Sequence, residues 1–557
     1  MTSHFSPSPQ VWGPLHLIYS TIASAPLNEY DACVVGSGPA GIIFALEMAR
    51  LGKRTLVLES GDLKPDRRQA SASDAEIIDP SKHDDMAIAV SRQLGGTSNL
   101  WGGRCQPYDP IDFRIRSGVD AQWPFSLTEL EPFYPIACRY LSAGRPVFEE
   151  HAETSPQPSP FNVRLERFSN APAIQKAFWK QLISSQLVDI RLNSTVTSMN
   201  LRQGLIADVT VRDPSGSDTT VPVRRLVIAS GGLESTRQLL ILQRNRPDLF
   251  GGPSGPLGKY YMGHIIGEIS DVVFNNAEMP KKFDFFLDGN GSYARRRLIP
   301  AEETQVAHRL LNVSFWPVVP PVADPRHGSA TLSAVCLALG FPPLGRLLVA
   351  EAIRKRHIPE SIDWRGHIGN VLRGFPQTAS YIPWFFYHRY FSKMRLPGFF
   401  IQNSGKRYGL SYHSEHSPHP ESRVWLSDKT DRYAMPKLVI DIKFSRNDAD
   451  ALLRAHERLH QWLLDTDIGR IEYRQPFAES SEAILANASH GTHQIGTARM
   501  GTNRHNGVVD KDLSSFDCSN LYIASSAVFP TSGQSNPTLT IAALSARLAQ
   551  KLASDCH

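Results

Sequence analysis

Between Tyr30 and Glu59 the chain runs apolar strand, glycine loop, helix and second strand, and few folds accept that order. Asp31–Val35 reads as a short buried strand. Gly36, Gly38 and Gly41 come directly after it, with Ser37, Pro39 and Ala40 between them. Gly36 permits the tight turn, Gly38 lets the backbone approach a pyrophosphate, and Gly41 lets helix and strand pack closely. Ile42–Arg50 has helical composition and stops before Gly52, a C-cap. Thr55–Leu58 is the next strand, and Glu59 at its end is placed to accept hydrogen bonds from a ribose diol. The helix N-terminus offers free N–H groups and partial positive charge to phosphates. These features together make a dinucleotide site. The loop alone does not separate FAD from NAD, while Glu59 disfavours a 2′-phosphate.

Similar apolar strands recur at Arg224–Ser230, running into Gly231 and Gly232, and at Asn520–Ser525. Thr538–Leu552 is Ala/Leu-rich and helical. Strands of one type near the start, middle and end of the chain imply one sheet assembled from separated parts. The expected fold is α/β: a Rossmann-like nucleotide domain from 28–130, 186–270 and 490–557, and an inserted domain from 131–185 and 271–489. Residues 1–27 form an N-terminal extension.

Composition narrows the function classes. With 41% apolar and 20% charged residues among 557, the chain is an ordinary globular protein rather than disordered, collagen-like or coiled-coil. A net charge of +5 is too small to support nucleic-acid binding. The six cysteines, at 33, 105, 138, 336, 518 and 556, form no CxxC pair and read as reduced structural thiols. No run reaches the roughly 18 apolar residues of a membrane-spanning helix. Val11–Ala25 is mildly apolar, but no Lys or Arg precedes it and Pro14 and His16 interrupt it. A cytoplasmic location is expected.

One stretch departs from the average. Residues 341–400 carry nine Lys/Arg against three Asp/Glu, a surplus of +6, together with Ile382–Tyr387 and Leu396–Phe400. Basic plus aromatic fits a membrane surface, an anionic or protein partner, a lid, or a solvated helix face beside core aromatics.

Three further blocks carry chemistry. Gly95, Gly96, Gly102 and Gly103 punctuate Leu94–Arg104, a backbone able to press on a flat ring. His490–Gly501 reads HGTHQIGTARMG, and Phe529–Thr540 reads FPTSGQSNPTLT. Together with the first loop, the Ala229–Arg237 turn and Glu421–Ser427, these blocks resemble the glucose–methanol–choline family of FAD-dependent oxidoreductases. The likeness covers most of the chain, is thinnest over 271–410, and in motif form is nearest to the pyranose oxidase, C-glycoside oxidase and fructose dehydrogenase-like branch.

The resemblance implies a Rossmann-like FAD domain with an inserted α+β substrate domain built on an antiparallel sheet. It implies oxidation of a sugar, glycoside or other alcohol by hydride transfer to flavin N5. His493 would be the base and Asn536 the second polar group, with His490 structural or supporting. Cofactor contacts would fall on Gly36–Gly41, Glu59 and Ser60, then on Gly95, Gly96, Thr97, Ser98, Asn99, Trp101, Gly102 and Gly103. Val196, Ser230, Gly231, Ser526, Asn536, Pro537 and Thr538 complete the set. Some relatives attach FAD through a histidine of the second loop. Leu100 stands at that place, and no histidine lies between Asp84 and His151, so FAD is expected to be non-covalent. The electron acceptor, whether O2, a quinone or a redox protein, is left open. So are a lyase on the same fold and a simple-alcohol dehydrogenase that uses an acceptor other than oxygen.

Overall fold

A computed structural model describes residues 18–19, 30–116, 118–150, 159–341, 343, 358 and 361–555. Six strands, β1 (Ile18–Tyr19), β2 (Ala32–Val35), β3 (Thr55–Leu58), β4 (Val188–Arg191), β5 (Leu226–Ile228) and β6 (Leu521–Ile523), form a parallel sheet in the order β1-β4-β3-β2-β5-β6. The expected sheet of separated chain parts is therefore present, with β4 as a further contribution. Periodicity missed β4 because Asp189 and Arg191 interrupt its apolar run. Both are buried, and the Arg191 guanidinium donates to both Asp189 oxygens at 2.8 and 2.7 Å, so the two opposite charges offset each other inside the sheet.

Helix α1 (Pro39–Arg50) begins at the end of the glycine loop with proline in its first turn and is buried from Ala40 to Met48. It lies between the sheet and α4 (Thr538–Ser554), whose Leu539, Ala542, Ala546 and Ala549 share its core. Even Glu47 is buried, with Arg50, Arg139 and Tyr140 donating to it. Helix α2 (Gly232–Asn245) leaves the end of β5.

An antiparallel sheet forms the second layer, in the order Gly469–Tyr473, His264–Phe274, Arg407–Glu415, Val313–Val318, Tyr293–Pro300, Phe161–Phe168 and Arg104–Cys105. Helix Arg446–Asp465 packs Leu452, Ala455, Leu459 and Leu463 against it. Two boundaries differ from the sequence reading. The 270/271 division cuts strand His264–Phe274, which pairs with two strands of the substrate sheet and shifts register between Gly267 and Ser270. Helix Tyr134–Tyr140, expected in the insertion, contributes Tyr134, Ala137, Cys138 and Tyr140 to the nucleotide-domain core.

Of the basic stretch, residues 342, 344–357 and 359–360, including Arg346, Arg354, Lys355 and Arg356, lie outside the described residues. The stretch continues as helix α3 (Trp364–Tyr390), with a non-helical Gly374 and with Pro376 and Pro383 inside it. Trp364, Ile368, Leu372, Phe375, Ile382, Phe386 and Tyr390 fall on one exposed stripe, while His367, Asn370 and Thr378 are buried. Cys33, Cys105, Cys138, Cys336 and Cys518 are free and buried, and Cys556 lies outside the described residues. Among the described residues no helix is long and apolar enough to cross a membrane.

Candidate active site

A cavity of about 480 Å³ opens where β2, β3 and β5 end and where the two layers meet. The first glycine loop forms one wall, and each glycine has its own reason. Gly36 sits at φ +101°, where a Cβ would lie 2.7 Å from Ala229 O. A Cβ on Gly41 would lie 2.0 Å from Gly36 O, so helix and loop touch there through bare backbone. A Cβ on Gly38 would meet nothing within 4 Å, because Gly38 faces the cavity. No side chain caps α1, which leaves its first N–H groups for an anion. Glu59 Oε2 accepts from Ser37 N at 3.0 Å and Ser37 Oγ at 2.5 Å, and Oε1 accepts from Gly61 N at 2.7 Å. The carboxylate thus locks the loop to the end of β3 and still lines the cavity.

Three buried polar atoms on this wall, Thr195 Oγ1, Gln238 Oε1 and Asn536 Oδ1, have no protein partner. Uncapped N–H groups, an open glycine and unpartnered acceptors along one trough suit a bound FAD.

The cavity wall takes up most of the residues implied by the resemblance: Gly36 to Ala40, Glu59, Ser60, Gly96, Thr97, Ser98, Trp101, Gly102, Val196, Ser230, Gly231, Ser526, Asn536, Pro537 and Thr538. Four others stand behind it. Gly41 packs on Gly36. A Cβ on Gly95 would run into the Gln175 side chain, and one on Gly103 would press on Ser169. Asn99 donates to Leu94 O at 3.1 Å and Gly96 O at 2.8 Å, bracing the loop from inside. Leu100 is on the wall and half exposed.

Sequence reading missed Arg92 and Arg104, both on the wall. Arg92 donates to Ser60 Oγ at 2.9 Å. Arg104 pairs with Glu166, which also meets Arg295 and Arg297. Burial alone would raise Glu166, but these three guanidiniums hold it down at about 2. Arg92 precedes the second glycine loop and Arg104 closes it, and the glycines around them, not the arginines, carried the sequence signal.

His493 and Asn536, 43 residues apart, meet at the cavity: Asn536 Nδ2 donates to His493 Nε2 at 2.9 Å. Behind His493, its Nδ1 lies 2.9 Å from Nδ1 of His264. His264 Nε2 in turn donates to Ser532 O at 3.2 Å. His413 stacks on His264 with ring centroids 4.2 Å apart and donates from Nδ1 to Gln534 O at 2.5 Å. His264, His413 and His493 offer nitrogens within 4.8 Å of one another, but five of their six nitrogens are already engaged in these bonds. His490 packs its ring 4.6 Å from His493 and bonds Thr492 Oγ1 at 3.2 Å. Burial, then His490, His264 and Arg104, push His493 well below the ordinary histidine value. Its imidazole is neutral at neutral pH.

Residues 31–253 match the FAD binding domain family, and residues 418–545 match GMC oxidoreductase. The chain belongs to the GMC oxidoreductase family. It is similar to 2-methyl-1,2-propanediol dehydrogenase of Mycolicibacterium austroafricanum, at 21% identity over 93% of this chain and 94% of that protein. It is also 21% identical to the fructose dehydrogenase large subunit of Gluconobacter japonicus, over 94% of this chain and 98% of that one. The solved pyridoxine 4-oxidase of Mesorbium loti shares its fold, with a TM-score of 0.54 and 16% identity over 94% of this chain and 99% of that one. This GMC oxidoreductase is an FAD enzyme acting on CH–OH groups of alcohols or sugars. It takes a small-molecule substrate and passes electrons to an acceptor.

Proposed function

We propose that this enzyme oxidises a secondary or primary hydroxyl of a sugar, glycoside or diol, with His493 as general base. The observation that carries the reading is the meeting of His493 Nε2 and Asn536 Nδ2 at the cavity wall. An alcohol gives up hydride poorly while it keeps its proton. Bound FAD supplies the two-electron acceptor for that hydride. His493 accepts the hydroxyl proton at Nε2, and burial keeps that nitrogen unprotonated until then. Asn536 Nδ2 donates to the same oxygen and stabilises its developing negative charge. Leu100 gives the second loop no nucleophile for a flavin bond, so acid precipitation should release the whole flavin into the supernatant.

The names of the two long relatives, a diol dehydrogenase and a fructose dehydrogenase subunit, favour polyhydroxylated substrates. An anaerobic panel of D-fructose, D-glucose, aryl glycosides, 1,2-propanediol and simple primary alcohols tests this. Bleaching of the flavin's visible band by the polyols and not by the simple alcohols is expected. Turnover of a compound without bleaching would favour a lyase. Comparing turnover in air with turnover under argon plus an artificial acceptor separates oxidase from dehydrogenase.

We infer that the exposed stripe of α3 docks on an anionic bilayer surface. Seven apolar side chains, four of them aromatic, face solvent on one helix face, and Arg365, Arg373 and Lys393 are exposed beside them. Holoenzyme should sediment with vesicles containing phosphatidylglycerol at low salt, and Leu372→Glu with Phe375→Glu should abolish this. Equal recovery in the supernatant with and without vesicles would refute it.

A further inference from the structure

His264 uses both of its ring nitrogens, and the atoms that take them fix where its proton lies. Ser532 O is a carbonyl and can only accept, so the His264 proton is on Nε2. Its Nδ1 is then an acceptor. The partner at 2.9 Å, His493 Nδ1, must carry a proton to make that bond. The lone pair of neutral His493 is thereby confined to Nε2, the nitrogen that faces Asn536 and the cavity. The opposite end agrees, since the Asn536 amide donates to Nε2 and leaves it no proton of its own.

His264 itself is held rigidly. It is fully buried at the start of strand His264–Phe274, stacked on His413 at an interplanar angle of 21°. The His413 bond to Gln534 O and the His264 bond to Ser532 O tie both rings to the loop that carries Asn536. The titratable and charged groups facing the pair are His413, His416, His490 and Arg104.

We propose that His264 is a positioning residue that selects the base-competent tautomer of His493. This rests on His493 being the base. Without an acceptor at this place, a neutral His493 is free to move its proton to Nε2 and donate it to the unpartnered Asn536 Oδ1 after an amide rotation, leaving no lone pair for substrate. In other enzymes, loss of the group that holds a catalytic imidazole in its working tautomer costs up to about ten-thousandfold.

Holoenzyme labelled with ¹⁵N-histidine tests this directly. The His493 signals, identified by their loss in His493→Asn, should show a protonated Nδ1 and an unprotonated Nε2, and His264 should show the reverse. A wild-type His493 protonated at Nε2 overturns the proposal. Anaerobic flavin reduction, using the most active compound of the panel, supplies the second readout. His264→Phe keeps a ring but no acceptor and should slow reduction at least about a hundredfold, with little change in substrate saturation. His264→Asn restores an acceptor near the place of Nδ1 and should recover to within about tenfold of wild type. His264→Asp adds a negative charge that favours the imidazolium, so the acid limb of its rate–pH profile should move to higher pH. Equal losses in His264→Phe and His264→Asn, or an unmoved acid limb in His264→Asp, would mark His264 as merely structural. Full activity in His493→Asn would instead remove the base assignment itself.

Discussion

Asn536 donates to His493 Nε2 at 2.9 Å, while its own Oδ1 is buried without a partner. Asn536→Ala should therefore retain FAD while flavin reduction slows about 10²- to 10³-fold, as for other lost donors to a developing oxyanion. Rapid-mixing absorbance measures this, and an unchanged rate would remove Asn536 from the chemistry. His493 and Asn536 were legible because each stands in a dense motif. His264 and His413 were not. His264 opens an apolar strand and His413 sits in the mixed strand Arg407–Glu415, neither inside a motif, and their partners lie 229 and 121 residues away. Only the register of strands His264–Phe274 and Arg407–Glu415, which pairs Ile266 with His413, brings the two rings together.

Among the elements, the first glycine loop separates folding from binding. A side chain at 41 would run into the Gly36 carbonyl, so Gly41→Val should yield little soluble protein. A side chain at 38 has open space in the protein and obstructs only the ligand. Gly38→Val should then fold, with a normal circular dichroism spectrum, and purify colourless. A yellow Gly38→Val would contradict the placing of the pyrophosphate. The β-α-β unit was legible to within a few residues because strand, turn and helix signals agree there. β4 was not, since its buried Arg191–Asp189 pair hides a core strand behind two charges. The boundary at 270/271 misled because His264–Phe274 is one strand of the substrate sheet, with no break in composition at that point.

Across the whole molecule, burial holds His83, His264, His327, His413, His416, His456, His490 and His493 below the ordinary value. His327, His456 and His490 fall to about 4. Between about pH 6.5 and about 4 the unfolded chain binds protons that the native rings refuse, so stability falls with acidification. Burial raises Asp112 to about 8 and Asp284 to about 6, and raises Asp510 and Glu415 as well, Glu415 and Asp112 despite Arg116 between them. These four act in the opposite sense, costing stability as pH rises, for Asp112 up to about 8. Eight histidines against four carboxylates set the direction on the acid side. The thermal midpoint, followed by circular dichroism, should be at least about 5 °C lower near pH 4.5 than near pH 6.5. A flat profile across that interval would show that the histidines are not held neutral.

Anaerobic stopped-flow reduction of purified His493→Ala holoenzyme, driven by the alcohol that bleaches the wild type fastest, reaches the central claim most directly. The account predicts a fully flavin-loaded variant whose visible band fades at least about a hundredfold more slowly than that of the wild type. A His493→Ala trace that overlays the wild-type trace would contradict it.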